Sequence, residues 1–238
     1  SVREGLARII YHRRSFDDAI IEQMIRHLET VLEGMSAGLE VKLEELPFLS
    51  QPERQELLVE WNRTEVDYPR EKRVHELFEA QVEARPEAIA IVCEEKSLTY
   101  RELNAHGNRL ARRLRELGVG PDARVAICME RSLELVVAML ATLKAGGAYV
   151  PLDPGYPAER LAYMRKDSAS MALLTHNAAK EALNEHLYKV PVLNLDSDEA
   201  QWSGQSAHNL AQGGIGLEPR SLAYVIYTSG SSGLPKGV

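Results

Sequence analysis

Cysteine is nearly absent from this chain, with two in 238 residues, Cys93 and Cys128. Both stand in apolar, strand-like runs, which reads as buried reduced thiols and supports neither a disulfide framework nor zinc-ligand spacing. An excess of positive charge is also missing. The formal net charge is −7, whereas nucleic-acid binders carry basic surfaces, so no nucleic-acid partner is expected. Long apolar runs are missing too. The longest, Leu135 to Ala141, is far too short to span a bilayer. The first residues, Ser1-Val2-Arg3-Glu4-Gly5, lack the apolar centre of a signal peptide. No membrane partner is expected, and a reducing cytoplasmic location is the default. Internal repeats, low-complexity tracts, metal-ligand clusters and catalytic triads are all absent from the sequence, so none of those function classes has support.

What remains has the length and composition of one large soluble domain or parts of two. Residues 16 to 35 predict one amphipathic helix. Ser15 is its candidate N-cap, and Phe16, Ile20, Met24, Leu28, Val31 and Met35 form its apolar stripe. Gly34 and Gly38 offer exits, and the stripe needs a partner. Tyr11-His12-Arg13-Arg14 before it reads as a solvated strand end. Ser50 with Glu53 forms a capping box for a short helix carrying Leu57, Leu58 and Trp61. Asn62 to Pro69 reads as an extended linker.

From there strands and helices alternate. A helix carries Val74, Leu77, Phe78 and Val82, with His75 expected as a partly exposed neighbour of that stripe. Ala88 to Cys93 and Ser97 to Thr99 predict a hairpin. Thr99 and Glu102 make a second capping box, for a helix ending at Gly118. Val125 to Met129 predicts a buried strand. Leu133 to Leu143 is apolar nearly all round and predicts a buried helix. Ala148 to Leu152, Met171 to Thr175 and Val190 to Leu195 predict further strands, with a helix from Pro157 to about Ser168. Residues 196 to 220 read as loop, followed by a final strand. The order implies an α/β fold with a mostly parallel sheet flanked by helices on both faces. Ligands of such sheets bind at the carboxyl ends of the strands.

That final strand, Tyr224-Val225-Ile226-Tyr227, opens into Thr228-Ser229-Gly230-Ser231-Ser232-Gly233-Leu234-Pro235-Lys236-Gly237. Small residues let backbone N–H groups approach an anion, the hydroxyl groups add donors, and Lys236 adds a mobile cation. The combination suits a polyphosphate. It is not a Walker A loop, because the lysine follows Pro235 and precedes Gly237. A plain Gly/Ser turn between strands is the alternative that composition leaves open.

The stretch from Leu222 to Gly237 closely resembles the phosphate-loop motif of adenylate-forming enzymes, with Ser232 where the commonest form has threonine. Two more stretches, Leu98-Thr-Tyr-Arg-Glu-Leu103 and Leu143-Lys-Ala-Gly-Gly-Ala-Tyr-Val-Pro-Leu-Asp-Pro154, resemble the first core motifs of nonribosomal peptide synthetase adenylation domains. Phe16-Asp17, Leu46-Pro47-Phe48-Leu49, Leu57 to Asn62 and Tyr68-Pro69 look like the end of a condensation domain and its linker. The resemblance thus implies residues 1–49 as a condensation-domain remnant, 50–70 as linker and 71–238 as the N-terminal part of an adenylation domain.

It further implies that the parent enzyme activates an amino acid with ATP and Mg2+, then loads it onto the phosphopantetheine thiol of a carrier protein. Condensation and carrier domains of the same synthetase would be its partners. Thr228, Ser229, Gly230, Ser231, Ser232, Gly233 and Lys236 would contact phosphate, and no residue stands out as general acid or base. The condensation family's His-His-x-x-x-Asp-Gly motif and the downstream adenylation motifs are not in the sequence, so the chain reads as a piece of a longer polypeptide, inactive by itself. An acyl- or aryl-CoA synthetase type of ligase, or a non-catalytic interdomain platform, are the other readings.

Overall fold

The computed structural model describes residues 9–37, 42–182, 190–211, 215–229 and 234–238. The chain forms two compact units, Ser1–Tyr68 and Pro69–Val238. In the first, α1 spans Asp18–Ala37 and α2 spans Gln51–Gln55, continued by a π-helical turn at Glu56–Glu60. The Ser50 capping box forms in both directions. Three expectations fail here for local reasons. The N–H groups of Ser15 and Phe16 both donate to the His12 carbonyl, so residues 12–16 are a turn and not a strand end. The first helical bond of α1 reaches back to the Asp17 carbonyl from Ile21, which places Ser15 too early to cap it. Gly34 does not end α1. It lets Pro47 approach, since a Cβ there would sit 2.7 Å from Pro47 Cδ, while Gly38 lies outside the described residues. The apolar stripe, Val31 apart, stays about half exposed, from Leu28 at 46% to Met24 at 56%, and among the described side chains of α1 Ile21 is the buried one.

In the second unit α3 is Val74–Ala84, and β1 (Ile89–Cys93) pairs antiparallel with β2 (Lys96–Thr99). The Thr99 capping box then starts α4, Tyr100–Glu116. A four-stranded parallel sheet follows, made of β3 (Arg124–Cys128), β4 (Ala148–Leu152), β5 (Ala172–Thr175) and β6 (Val192–Asn194), in the order β4-β3-β5-β6. Helix α5 (Leu133–Ala145) crosses from β3 to β4, and α6 (Ala158–Ser168) crosses from β4 to β5. Gly146 takes a left-handed φ of 100° to end α5, a conformation a side chain would strain.

Alternate strand residues feed two cores, as a two-residue period demands. Val125, Ile127 and Leu174 join Leu110, Leu114, Ala138 and Ala141 on one face. Ala126, Cys128, Val150, Leu152 and Leu173 join Leu161 and Met164 of α6 on the other. A sheet covered on both faces needs near-continuous apolar strands, which is the pattern these segments carry.

His75 is buried, at 2% exposure, which corrects the expectation of a partly exposed residue. Its helix packs on α4 and α5, and a helix covered from two sides hides residues beside its stripe. Among the described residues its Nε2 has no hydrogen-bond partner. Burial, and next the Lys144 ammonium, lower its pKa from 6.5 to about 4. The neutral ring is therefore the folded form. Its contribution to stability is complete above pH 6.5 and is lost as pH falls through about 4. Thermal melts between pH 7 and pH 4 are expected to show His75→Gln losing about 3 kcal/mol less stability over that range than the unmodified chain. Parallel curves would assign the acid sensitivity elsewhere.

The described residues of 196–220, which the sequence reads as loop, contain little regular structure, but α4 holds their path. Asn108 Nδ2 donates to the Ala207 carbonyl at 2.7 Å, and Arg112 Nη1 donates to those of Ser206 and His208, both at 2.8 Å. Arg115 Nη1 holds the Ala211 carbonyl at 3.0 Å. Further on, Arg73 Nη1 donates to the Leu217 carbonyl at 3.1 Å, and Asp122 accepts from the Leu222 N–H at 3.0 Å. These bonds deliver the chain to the free edge of β4.

Candidate functional site

At that edge Tyr149 N–H donates to the Ala223 carbonyl (3.1 Å) and Val225 N–H donates to the Tyr149 carbonyl (3.0 Å). The bridge is parallel, so the chain leaves toward the carboxyl ends of the sheet strands. The expected continuous strand is shorter than the sequence suggests. It comprises this bridge at Tyr224 and then β7, Tyr227–Thr228, which pairs with β8, Lys236–Gly237. Ile226 and Val238 extend the pairing by exchanging backbone bonds of 2.9 and 3.0 Å.

The register does the arranging. Thr228 stands opposite Lys236, and Tyr227 opposite Gly237. Opposed residues of an antiparallel pair share a face. The Thr228 hydroxyl and the Lys236 ammonium therefore lie on one face, and both residues are exposed. Ser229 is exposed too, while Gly230, Ser231, Ser232 and Gly233 lie outside the described residues. Thr228 and Lys236 are thus brought together at the mouth of a hairpin, with Ser229 next in the chain. Exposed hydroxyls beside an exposed ammonium fit a phosphate chain.

Beside the hairpin runs a crevice of about 530 Å³, lined by Met129 and Glu130 after β3, Asp153 and Tyr156 after β4, and Ile226 and Tyr227. It lies where parallel sheets place their ligands. Cys128 ends β3 close by, but burial pushes its thiol up to about 12, which rules out a thiolate nucleophile at neutral pH. Among the described residues no three His, Cys, Asp or Glu side chains converge as a metal cluster, and no helix is long and apolar enough to cross a membrane.

Residue-by-residue reading missed the side chains that place the hairpin. Asp122 (to Leu222) and Asp167 (to Tyr227) lie 100 and 60 residues from their partners. Asp122 had one local sign, its place in the Gly-Pro-Asp turn before β3, where it takes a φ of 60°. Asp167 had none.

The profile of a family described as AMP-binding enzyme matches residues 78–238. The chain therefore belongs to the AMP-binding enzyme family, whose fold is the adenylate-forming one. It is 43% identical to tyrocidine synthase 3 of Brevibacillus parabrevis over 96% of its length, which is 4% of that protein. It is 42% identical to gramicidin S synthase 2 of Brevibacillus brevis over 96% of its length, 5% of that protein. Among solved structures it resembles the nonribosomal peptide synthetase FmoA3 in its alpha-methyl-L-serine-AMP-bound form. That match has a TM-score of 0.70 and 31% identity, over 94% of this chain and 24% of that one. The chain thus spans about one-twentieth or less of the two synthases it matches.

Proposed function

We propose that the chain is part of a nonribosomal peptide synthetase, and that residues 71–238 begin an adenylation domain that activates an amino acid with ATP. Residues 1–49 would close a condensation domain and 50–70 would link the two. The observation that carries this reading is the hairpin. A β7–β8 pair with an exposed Thr228–Lys236 face, at the two ends of a hydroxyl- and glycine-rich stretch of sequence, stands at the carboxyl edge of a parallel sheet. The similarity to peptide synthetases across nearly the whole chain supports it.

In the reaction, the amino-acid carboxylate attacks the α-phosphorus of ATP. The bond to the β-phosphate oxygen breaks, leaving aminoacyl-AMP and pyrophosphate. A carrier-protein phosphopantetheine thiol would then attack the acyl carbonyl, releasing AMP. Two anions must meet in the first step. Lys236, the hydroxyls of Thr228, Ser229, Ser231 and Ser232, and the backbone N–H groups of Gly230 and Gly233 would offset that repulsion. They would also stabilise the charge developing on pyrophosphate. Mg2+ would arrive with the triphosphate, as it does where phosphates and waters supply most of its ligands.

Amino-acid-dependent exchange of pyrophosphate into ATP by the full synthetase module tests the reading. Exchange with one or a few amino acids is the expected result. Exchange with fatty or aryl acids alone would move the protein to an acyl- or aryl-activating ligase. No exchange from a folded module would favour an interdomain platform. The 238 residues alone are expected to show no exchange, because the downstream adenylation motifs are not among them.

A further inference from the structure

The hairpin that carries Thr228, Ser229 and Lys236 is thinly attached to its unit. After Val225 the backbone bonds of its described residues are internal, within β7 and β8 and between Ile226 and Val238. Among the described residues, side-chain hydrogen bonding from residues 226–238 to another element runs through the Tyr227 hydroxyl, which meets both Asp167 and Ser168 of α6. The Tyr227 hydroxyl donates to Asp167 Oδ2 of α6 at 2.6 Å. The Tyr227 ring packs against the core cluster that contains Leu161 and Met164. Across the hairpin, a Cβ on Gly237 would meet Val225 Cγ1 at 2.9 Å and Tyr227 Cζ at 3.3 Å. The ring therefore occupies the space that a side chain at position 237 would need. Burial, and then the Asp167 carboxylate, raise the phenol above its ordinary value, so the hydroxyl keeps its proton and remains a donor at neutral pH.

Successive strand residues point to opposite faces. Pinning Tyr227 toward α6 therefore decides which way Thr228, and with it Lys236, must face. We infer that Tyr227 and Asp167 form a positioning latch, which holds the Thr228–Lys236 face in the orientation that meets the triphosphate of ATP. The inference rests on the adenylation reading above. Their effect passes through the angle of the hairpin. With the latch broken, the hairpin samples more orientations, and apparent affinity for ATP falls in proportion to the competent fraction.

The test is ATP–pyrophosphate exchange by the full module, with KM measured separately for ATP and for the amino acid. Tyr227→Phe keeps the ring and removes the bond. It is expected to raise KM for ATP by about five- to tenfold and to leave KM for the amino acid within about twofold. Asp167→Ala should raise KM for ATP in the same sense but by no more, since Ser168 still meets the hydroxyl, and the double variant should be no worse than Tyr227→Phe, which already removes that hydroxyl. Asp167→Asn keeps an acceptor oxygen and should fall between Asp167→Ala and the unmodified enzyme. A purely structural role would lower the melting temperature and the amount of active enzyme without separating the two KM values. Normal KM for ATP in Tyr227→Phe, or equal rises in both KM values, would overturn the latch while leaving adenylation intact. No exchange by the unmodified module with any acid would overturn the adenylation reading and the latch together.

Discussion

Lys236→Ala in the full module is expected to reduce amino-acid-dependent ATP–pyrophosphate exchange by roughly 10²-fold or more, the scale seen when one preorganised charge-stabilising group is removed. The residue is exposed, and no ion pair among the described residues includes it. Its backbone pairs with Thr228 whatever its side chain is. The melting temperature should therefore stay within about 2 °C, since exposed substitutions of this kind change stability little. Activity and stability would then separate, which is the signature of a side chain acting on the ligand. Lys236→Arg keeps the charge with a different geometry and should retain part of the exchange. Exchange by Lys236→Ala within a few-fold of the unmodified module would remove Lys236 from the phosphate site.

The largest expected loss of stability lies elsewhere, at Glu79. Lys144 in the last turn of α5 has a side chain with 0% exposure, and its ammonium is paired with the Glu79 carboxylate, itself 15% exposed. The C-terminal end of a helix favours a cation. Even so, burial is the dominant influence on Lys144 and lowers its pKa, while the bond to Glu79 acts in the opposite direction. Removing the carboxylate strands a buried charge. Glu79→Ala is expected to cost about 3–5 kcal/mol, or on the order of 10 °C in melting temperature for a unit of this size. Glu79→Leu with Lys144→Met removes both charges and should recover most of that loss, because apolar pairs of similar volume replace buried ion pairs well. A melting temperature for Glu79→Ala within about 2 °C of the unmodified chain would show that water or another group already serves Lys144. Neither residue lines the crevice beside the hairpin, so any active fraction should keep its KM for ATP.

Much of the second unit was legible in the chain. The Thr99–Glu102 box and Gly118 mark the two ends of α4, because capping uses side chains three residues apart. The apolar strands of the parallel sheet announce two-sided burial for the same kind of reason, since the signal lies within five residues. Ser15 and Gly34 misled because their residue types permit several roles. Serine suits a turn as well as a cap, and glycine permits a close approach as well as an exit. His75 misled because helical spacing says which residues share a face but not how many neighbours cover the helix. The candidate site divides in the same way. The residue types of Thr228, Ser229 and Lys236 pointed to phosphate directly, whereas the bonds that aim them come from Asp122 and Asp167.

The sequence by itself determined the alternation of strands and helices, the two capping boxes, the apolar strands and the hydroxyl-, glycine- and lysine-bearing chemistry of residues 228–237. Each is a property of neighbouring residues, and local backbone geometry turns it into structure with little outside help. Tertiary structure alone decided the strand order β4-β3-β5-β6 and the docking of residues 223–225 on the edge of β4. It also decided the burial of His75 and Lys144 and the contact of Tyr227 with Asp167. Those features join residues tens of positions apart. Their energies arise only when packing brings the groups together and excludes water, so no local pattern in the chain encodes them.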